Sequence, residues 1–189
     1  MTDGSQEQSS THGLDERELD FHPGMGMRWE ITRSTEDTSG ELFEATNWLD
    51  PGMPGPPVHV HPTAEESYEV IEGTLDVFVD GEWSEVRAGE KATAPAGVPH
   101  TLRNASDEPV RVVNIHQPAQ RFESFFREMH GLIDAGKIKR LPPKEPGSAI
   151  YVAMLFGKYP DEIRTTKPPN GVFKALAIVG KALRFRLEA

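Results

Sequence analysis

The sequence predicts a mainly β protein, an antiparallel sandwich or barrel followed by a helical extension, and three observations predict it. Between Arg28 and His116 apolar and polar residues alternate in short runs, the period of half-buried strands, with Gly, Pro and Asp at the joins. Beyond Pro118 the apolar period becomes that of a helix. The chain has 189 residues, 37% of them hydrophobic, which suits one core with an appendage.

Residues 1–24 are set apart as an arm, disordered or docked, because the first twenty are rich in Ser, Gln, Asp, Glu and Thr with almost nothing to bury. The barrel is expected over 25–118. Arg28 to Arg33 and Glu41 to Leu49 read as strands, and the Pro- and Gly-rich stretch from Asp50 to Pro57 as a loop. Tyr68 to Glu72 and Thr74 to Val79 follow, joined at Gly73. Asp80-Gly81 is a hairpin dipeptide that returns the chain through Glu82 to Arg87. Lys91 to Ala94, His100 to Arg103 and Val110 to His116 close the series.

The helical extension occupies 119–189. Phe122, Phe125, Phe126, Met129, Leu132 and Ile133 form the apolar stripe of a helix, with Gly136 at its end. Ser148 is expected to cap a second helix running to Phe156. A last apolar helix, from Val172 to about Phe185, is expected to dock on the barrel.

Charge is uneven. Residues 1–118 carry 23 acidic and 7 basic side chains, and residues 119–189 carry 7 and 13. An acidic front half argues against nucleic acid as a partner. No apolar stretch approaches the roughly 18 to 20 residues of a membrane span, and no signal peptide is visible, so a cytoplasmic protein is expected. The absence of cysteine excludes disulfides and thiolate sites. A metal would have to use His and carboxylate ligands.

Those residue types cluster in one stretch. On a strand, residues two apart share a face, so His59 and His61 project together. By the same parity Glu66, Tyr68 and Val70 share the apolar, inward face and Glu65 points out. A carboxylate buried there is costly without a cation. His116, beside Asn114 on the last strand, either lines the pocket mouth or is a surface residue or one of the layer behind the ligands, and Tyr68 is either a proton donor in the pocket or a packed barrel tyrosine. Met27, Trp29 and Trp48 are candidates for apolar wall.

Two phrases carry a family resemblance. Gly89, Pro95, Gly97, His100 and Asn104 meet the spacing G-x5-P-x-G-x2-H-x3-N without a gap. His59, His61, Glu66 and Gly73 meet H-x-H-x4-E-x6-G, and the glycine that should open this motif is replaced by Met53, with Gly52 and Gly55 on either side. With 15 residues between the motifs, Thr74 to Ala88, the stretch 28–118 resembles the cupin superfamily. The resemblance implies a single jelly-roll barrel, or double-stranded β-helix, with His59, His61, Glu66 and His100 as ligands of one divalent transition metal ion. Fe, Mn, Ni, Zn and Cu all suit that ligand set. It also implies a small-molecule ligand or substrate and a homodimer.

Three functions fit. One is a dioxygenase-like oxidoreductase in which Glu66 both ligates the metal and accepts a substrate proton. Another is a non-redox isomerase or hydrolase using the ion as a Lewis acid. The third is a binding or sensing module without turnover.

Overall fold

The computed structural model describes residues 16–167 and 170–187, so the polar stretch 1–15 of the expected arm lies outside the described residues. The described part of the arm is docked. β1 (Glu18–Asp20) pairs antiparallel with β2 (Met27–Arg33), and the four-residue helix α1 (His22–Met25) joins them. Leu19 and Phe21 are buried there, and Phe21 meets Trp29 edge-on with ring centroids 5.6 Å apart. Two apolar residues in a polar run were too few to mark a strand in sequence.

Two antiparallel sheets face each other. The first has six strands in the order β1-β2-β3-β10-β5-β8, adding β3 (Phe43–Leu49), β10 (Val110–Gln117), β5 (Glu65–Glu72) and β8 (Lys91–Ala94). The second is ordered β11-β4-β9-β6-β7, from β11 (Arg164–Thr165), β4 (His59–Val60), β9 (His100–Arg103), β6 (Thr74–Val79) and β7 (Glu82–Arg87). Alternation sets which side chains meet. In β3 the residues Phe43, Ala45, Asn47 and Leu49 are buried in strict alternation, and in β10 Val110, Val112, Asn114 and His116 are. Asp80 and Gly81 both have positive φ, 49° and 96°, the conformation of a two-residue hairpin turn between β6 and β7.

At the loop before β4, Gly55 has φ +77°, and a Cβ there would overlap the Leu102 carbonyl. Gly52 has open space around it. Of the two glycines flanking Met53, Gly55 is therefore the one the packing requires. Asn104 is fully buried and donates to the carbonyls of Asp50 at 3.0 Å and Glu108 at 2.8 Å, while Ser106 donates to its Oδ1 at 2.7 Å. It ties two loops together at one end of the barrel.

The extension covers the other end. Helix α2 (Phe122–Asp134) buries the predicted stripe, and Phe126 lies 4.3 Å from the Trp29 ring, centroid to centroid. Helix α3 spans Pro146–Lys158 and has Glu145, not Ser148, at its N-cap position. Ser148 is buried one turn inside, where it donates to the Lys137 carbonyl at 3.0 Å. Helix α4 (Asn170–Ala182) packs on α3 through Gly180, which leaves no space for a Cβ against Ile150 and Met154. Its packing partner is thus α3, where the sequence suggested the barrel. Among the described residues no helix is long and apolar enough to cross a membrane.

Candidate metal centre

The site lies between the two sheets. His59 on β4 stands directly opposite His100 on β9, and Glu66 on β5 stands opposite His116 on β10. His61 follows β4 immediately. His59, His61, Glu66 and His100 are all buried, and each can place one ligand atom within 4.8 Å of the others. The three rings sit at nearly equal spacing, with centroids 4.6 to 4.9 Å apart. Glu65, one residue before Glu66, is exposed, as strand parity requires.

Backbone carbonyls fix how each ring is turned. His59 Nδ1 lies 2.9 Å from the Pro57 carbonyl, His61 Nδ1 2.5 Å from that of Glu162, and His100 Nδ1 2.8 Å from that of Val98. A carbonyl only accepts, so Nδ1 carries the proton in all three rings and Nε2 presents its lone pair to the centre. Two of those nitrogens, on His61 and His100, stand 3.0 and 2.9 Å from Glu66 Oε2. Unprotonated nitrogens facing a carboxylate repel it, and a cation relieves the repulsion. A divalent ion fits this donor set, and its second layer of carbonyl acceptors is of the kind that surrounds metal-bound histidines.

Without a metal, protons provide the relief. Burial opposes protonation of His100, but its hydrogen bond to Glu66 prevails and raises its pKa. Burial, with His61 and His100 close by, pushes the His59 pKa down to about 3, and burial does the same to His116. Burial works to raise the Glu66 pKa as well. The His116 ring and the hydrogen bonds from His100 and His61 outweigh it and hold the carboxyl well below its ordinary value. Glu66 is thus ionised, and His59 is neutral, the state in which it can ligate a metal.

His116 is fully buried, with Nε2 3.4 Å from Glu66 Oε1, and neither ring nitrogen makes a hydrogen bond. Its ring packs 4.1 Å from Phe122. It is neither a surface residue nor held by a carbonyl as the three ligand candidates are. Tyr68 is also fully buried beside Glu66, without a well-formed hydrogen bond from its hydroxyl, and burial and the Glu66 charge push its pKa well up. It stays a protonated donor at neutral pH.

A cavity of about 70 Å³ adjoins the centre, with His59, His61, Glu66, Tyr68, Asn114 and His116 among its walls. At roughly 30 Å³ per water it has room for about two. Met27 and Trp29 line it as the sequence suggested, whereas Trp48 does not and instead carries the Arg28 guanidinium 4.0 Å above its ring. The far wall belongs to the extension: Phe125 and Phe126 from α2, Phe156 from α3, and Ile163 and Thr165 around β11. Among the described residues no Lys or Arg lines it. The remaining histidines stand apart. His22 pairs with Asp20 at the surface, His130 packs beside Phe21, and His12 lies outside the described residues.

Comparison with known proteins agrees with this architecture. The family model described as "Cupin domain" matches residues 48–116, about a third of the chain, and the two facing sheets around a buried His/Glu cluster that could hold a metal have the fold of that domain. A polyketide synthase, CurC, from Streptomyces cyaneus is 42% identical over 55 residues, 29% of this chain and 36% of that protein. Quercetin 2,3-dioxygenase from Bacillus subtilis (strain 168) is 32% identical over 106 residues, 51% of this chain and 31% of that enzyme. The chain thus spans about a third of the length of these two curated relatives. An RmlC-like cupin from Shewanella frigidimarina NCIMB 400 superposes with a TM-score of 0.48 at 24% identity, covering 62% of this chain and 97% of that one.

Proposed function

We propose that the protein is a metal-dependent oxidoreductase of the dioxygenase type acting on a small organic molecule. His59, His61, Glu66 and His100 hold one divalent transition metal ion in this reading. The observation that carries it is the convergence of three oriented imidazoles and one ionised carboxylate beside a partly open, largely apolar cavity. The partial likeness to a quercetin dioxygenase supports it.

A redox-active ion held there supplies electron exchange with O2, and a redox-inert one supplies Lewis acidity. The chain's own part is positioning and proton handling. Glu66 Oε1 is held by Asn114 Nδ2 at 2.7 Å, which leaves Oε2 to face the centre and to accept a proton from a bound enol or phenol. Tyr68 offers a hydroxyl donor on the same wall. The apolar residues of the extension exclude water from the cavity, and the absence of a cationic side chain favours substrates without a separate anionic group. A molecule much larger than this cavity requires the wall formed by α2, α3 and β11 to move outward. The same reading includes a homodimer joined through a sheet edge, which light scattering of the purified protein tests.

The decisive experiment is anaerobic reconstitution with Fe(II), Mn(II), Ni(II), Cu(II) and Zn(II), followed by O2 uptake with catechol-like and flavonol compounds. Uptake with a redox metal and none with Zn(II) is expected. Full turnover with Zn(II) and no O2 consumed would assign the protein to non-redox chemistry instead. Bound compound without turnover under any metal would leave a binding module.

A further inference from the structure

We infer that the helical extension completes the metal centre, with the main-chain carbonyl of Glu162, clamped by Arg121, as the acceptor that orients His61. The inference rests on the metal-binding part of the proposed function and not on the reaction. His59 and His100 find their acceptors two residues away, at Pro57 and Val98, so their own strands suffice to turn them. His61 stands where the chain leaves β4, followed at once by Pro62. Its acceptor is 101 residues further on, in the loop between α3 and β11.

That loop is held on three sides. The Glu162 carboxylate is 2% exposed and takes Nε and Nη2 of Arg121 at 3.0 and 3.2 Å, a paired arrangement that fixes both groups in one plane. Arg121 Nη2 also donates to the Lys158 carbonyl at 3.1 Å, and the guanidinium lies 4.8 Å above the Tyr159 ring. Beyond the loop, β11 adds to the strand that carries His59, with Arg164 opposite Val60 and Thr165 opposite His59. Thr166 extends the contact to the Val58 carbonyl through its backbone N at 3.3 Å and its hydroxyl at 3.1 Å.

Arg121 immediately precedes α2, whose Phe122 packs edge-on against the His61 ring, centroids 4.9 Å apart. The ring is therefore held by its neighbour in packing and by the carbonyl in hydrogen bonding. A buried imidazole that loses its acceptor can change tautomer or turn, and Nε2 then no longer faces the centre. Arg121 and Glu162 are positioning residues for the metal. They touch neither the ion nor the substrate cavity's reacting groups.

The test uses the full chain, with Zn(II) as probe in competition with a chromophoric chelator. Arg121→Met is expected to weaken Zn(II) binding by about 10- to 100-fold, the usual effect of losing an outer partner of a metal-bound histidine. Arg121→Lys should recover part of it, and Lys91→Ala, which breaks an exposed ion pair with Glu69, should stay within about two-fold. Nitrogen-edited NMR of the imidazoles supplies a readout that general destabilisation does not move. In the wild type the His61 Nδ1–H should exchange slowly and couple to the Glu162 carbonyl carbon, with and without Zn(II), and in Arg121→Met that coupling should vanish.

Wild-type affinity together with an unchanged His61 signal in Arg121→Met overturns the inference. If that variant does not fold, the wild-type spectrum decides, and a His61 ring unprotonated at Nδ1 overturns it. A wild-type protein that binds no Zn(II) or other divalent ion removes the metal reading and the inferred role with it. The metal-free His61 signal still reports separately whether the anchor exists.

Discussion

Asn114 holds the carboxylate of Glu66 by one oxygen. Its Nδ2 stands 2.7 Å from Oε1, while Oε2 is left to His61 and His100. The two residues lie on neighbouring strands, Glu66 opposite His116 and Asn114 opposite Tyr68, so the bond runs diagonally across the ladder. Replacing the amide by an alkyl group of similar size removes the donor without opening a large void. Asn114→Leu is expected to raise the Glu66 pKa and to weaken divalent-metal binding roughly tenfold, measured by chelator competition at pH 7. Unchanged affinity would mean that Oε1 needs no support.

Metal binding should release protons. His100 has a raised pKa in the metal-free protein because Glu66 accepts a hydrogen bond from it against the cost of burial, and a metal can take Nε2 only after that proton leaves. Affinity therefore falls as the solution becomes more acidic. Calorimetric titrations in buffers of different ionisation enthalpy at pH 6 should show about one proton released per ion, and a buffer-independent heat would contradict this.

Acid should unfold the metal-free protein steeply. His59 and His116 have folded pKa values of about 3 against an ordinary 6.5, so between those limits the unfolded chain binds more protons and stability rises with pH. Two such groups give a slope on the order of 2 kcal/mol per pH unit, lost as pH falls from about 6 toward 4. Glu66, depressed in the fold, adds to the loss below its ordinary 4.5. His100 has the opposite sign: its contribution is complete below 6.5 and fades as pH rises through its raised folded value. Denaturant midpoints at half-unit pH steps measure the curve, and a flat profile from pH 7 to 4 would show that these histidines are not buried neutral.

The two glycines around Met53 should behave differently. Gly55→Ala would drive a methyl into the Leu102 backbone as well as demanding a positive φ from alanine, and a loss of about 3 kcal/mol or more is expected. Gly52 has φ +69° but open space around it, so Gly52→Ala should cost only about 1 kcal/mol. Thermal or urea unfolding of the two variants compares them directly, and equal losses would mean that the close approach at Leu102 relaxes freely.

Much of the site was readable because its residues are local in sequence and periodic. His59 and His61 share a strand face, parity turns Glu66 inward and Glu65 outward, and the glycines and Pro95 mark the turns between. The long-range parts left no such mark. A backbone carbonyl such as that of Glu162 has no side-chain signature, and a two-residue strand such as β11 is too short to show a period. The burial of Leu19 and Phe21 comes from docking on β2 and α2, and Ser148 resembles a helix cap in sequence although tertiary contact with Lys137 draws it inside. His116 could be assigned to the neighbourhood of the site, but its lack of any hydrogen-bond partner is a property of the packed fold alone.

The distance along the chain between His61 and Glu162 also has a consequence in time. A ribosome adds roughly 5 to 20 residues per second, so the 101 residues between them take about 5 to 20 seconds to make. For the last 58 of those residues, from Asn104 to Glu162, both barrel motifs are already synthesised, yet the acceptor for one imidazole and the strand that covers β4 do not exist. An ion captured by the nascent barrel would meet an incompletely oriented His61, and tight loading would wait for the last third of the chain.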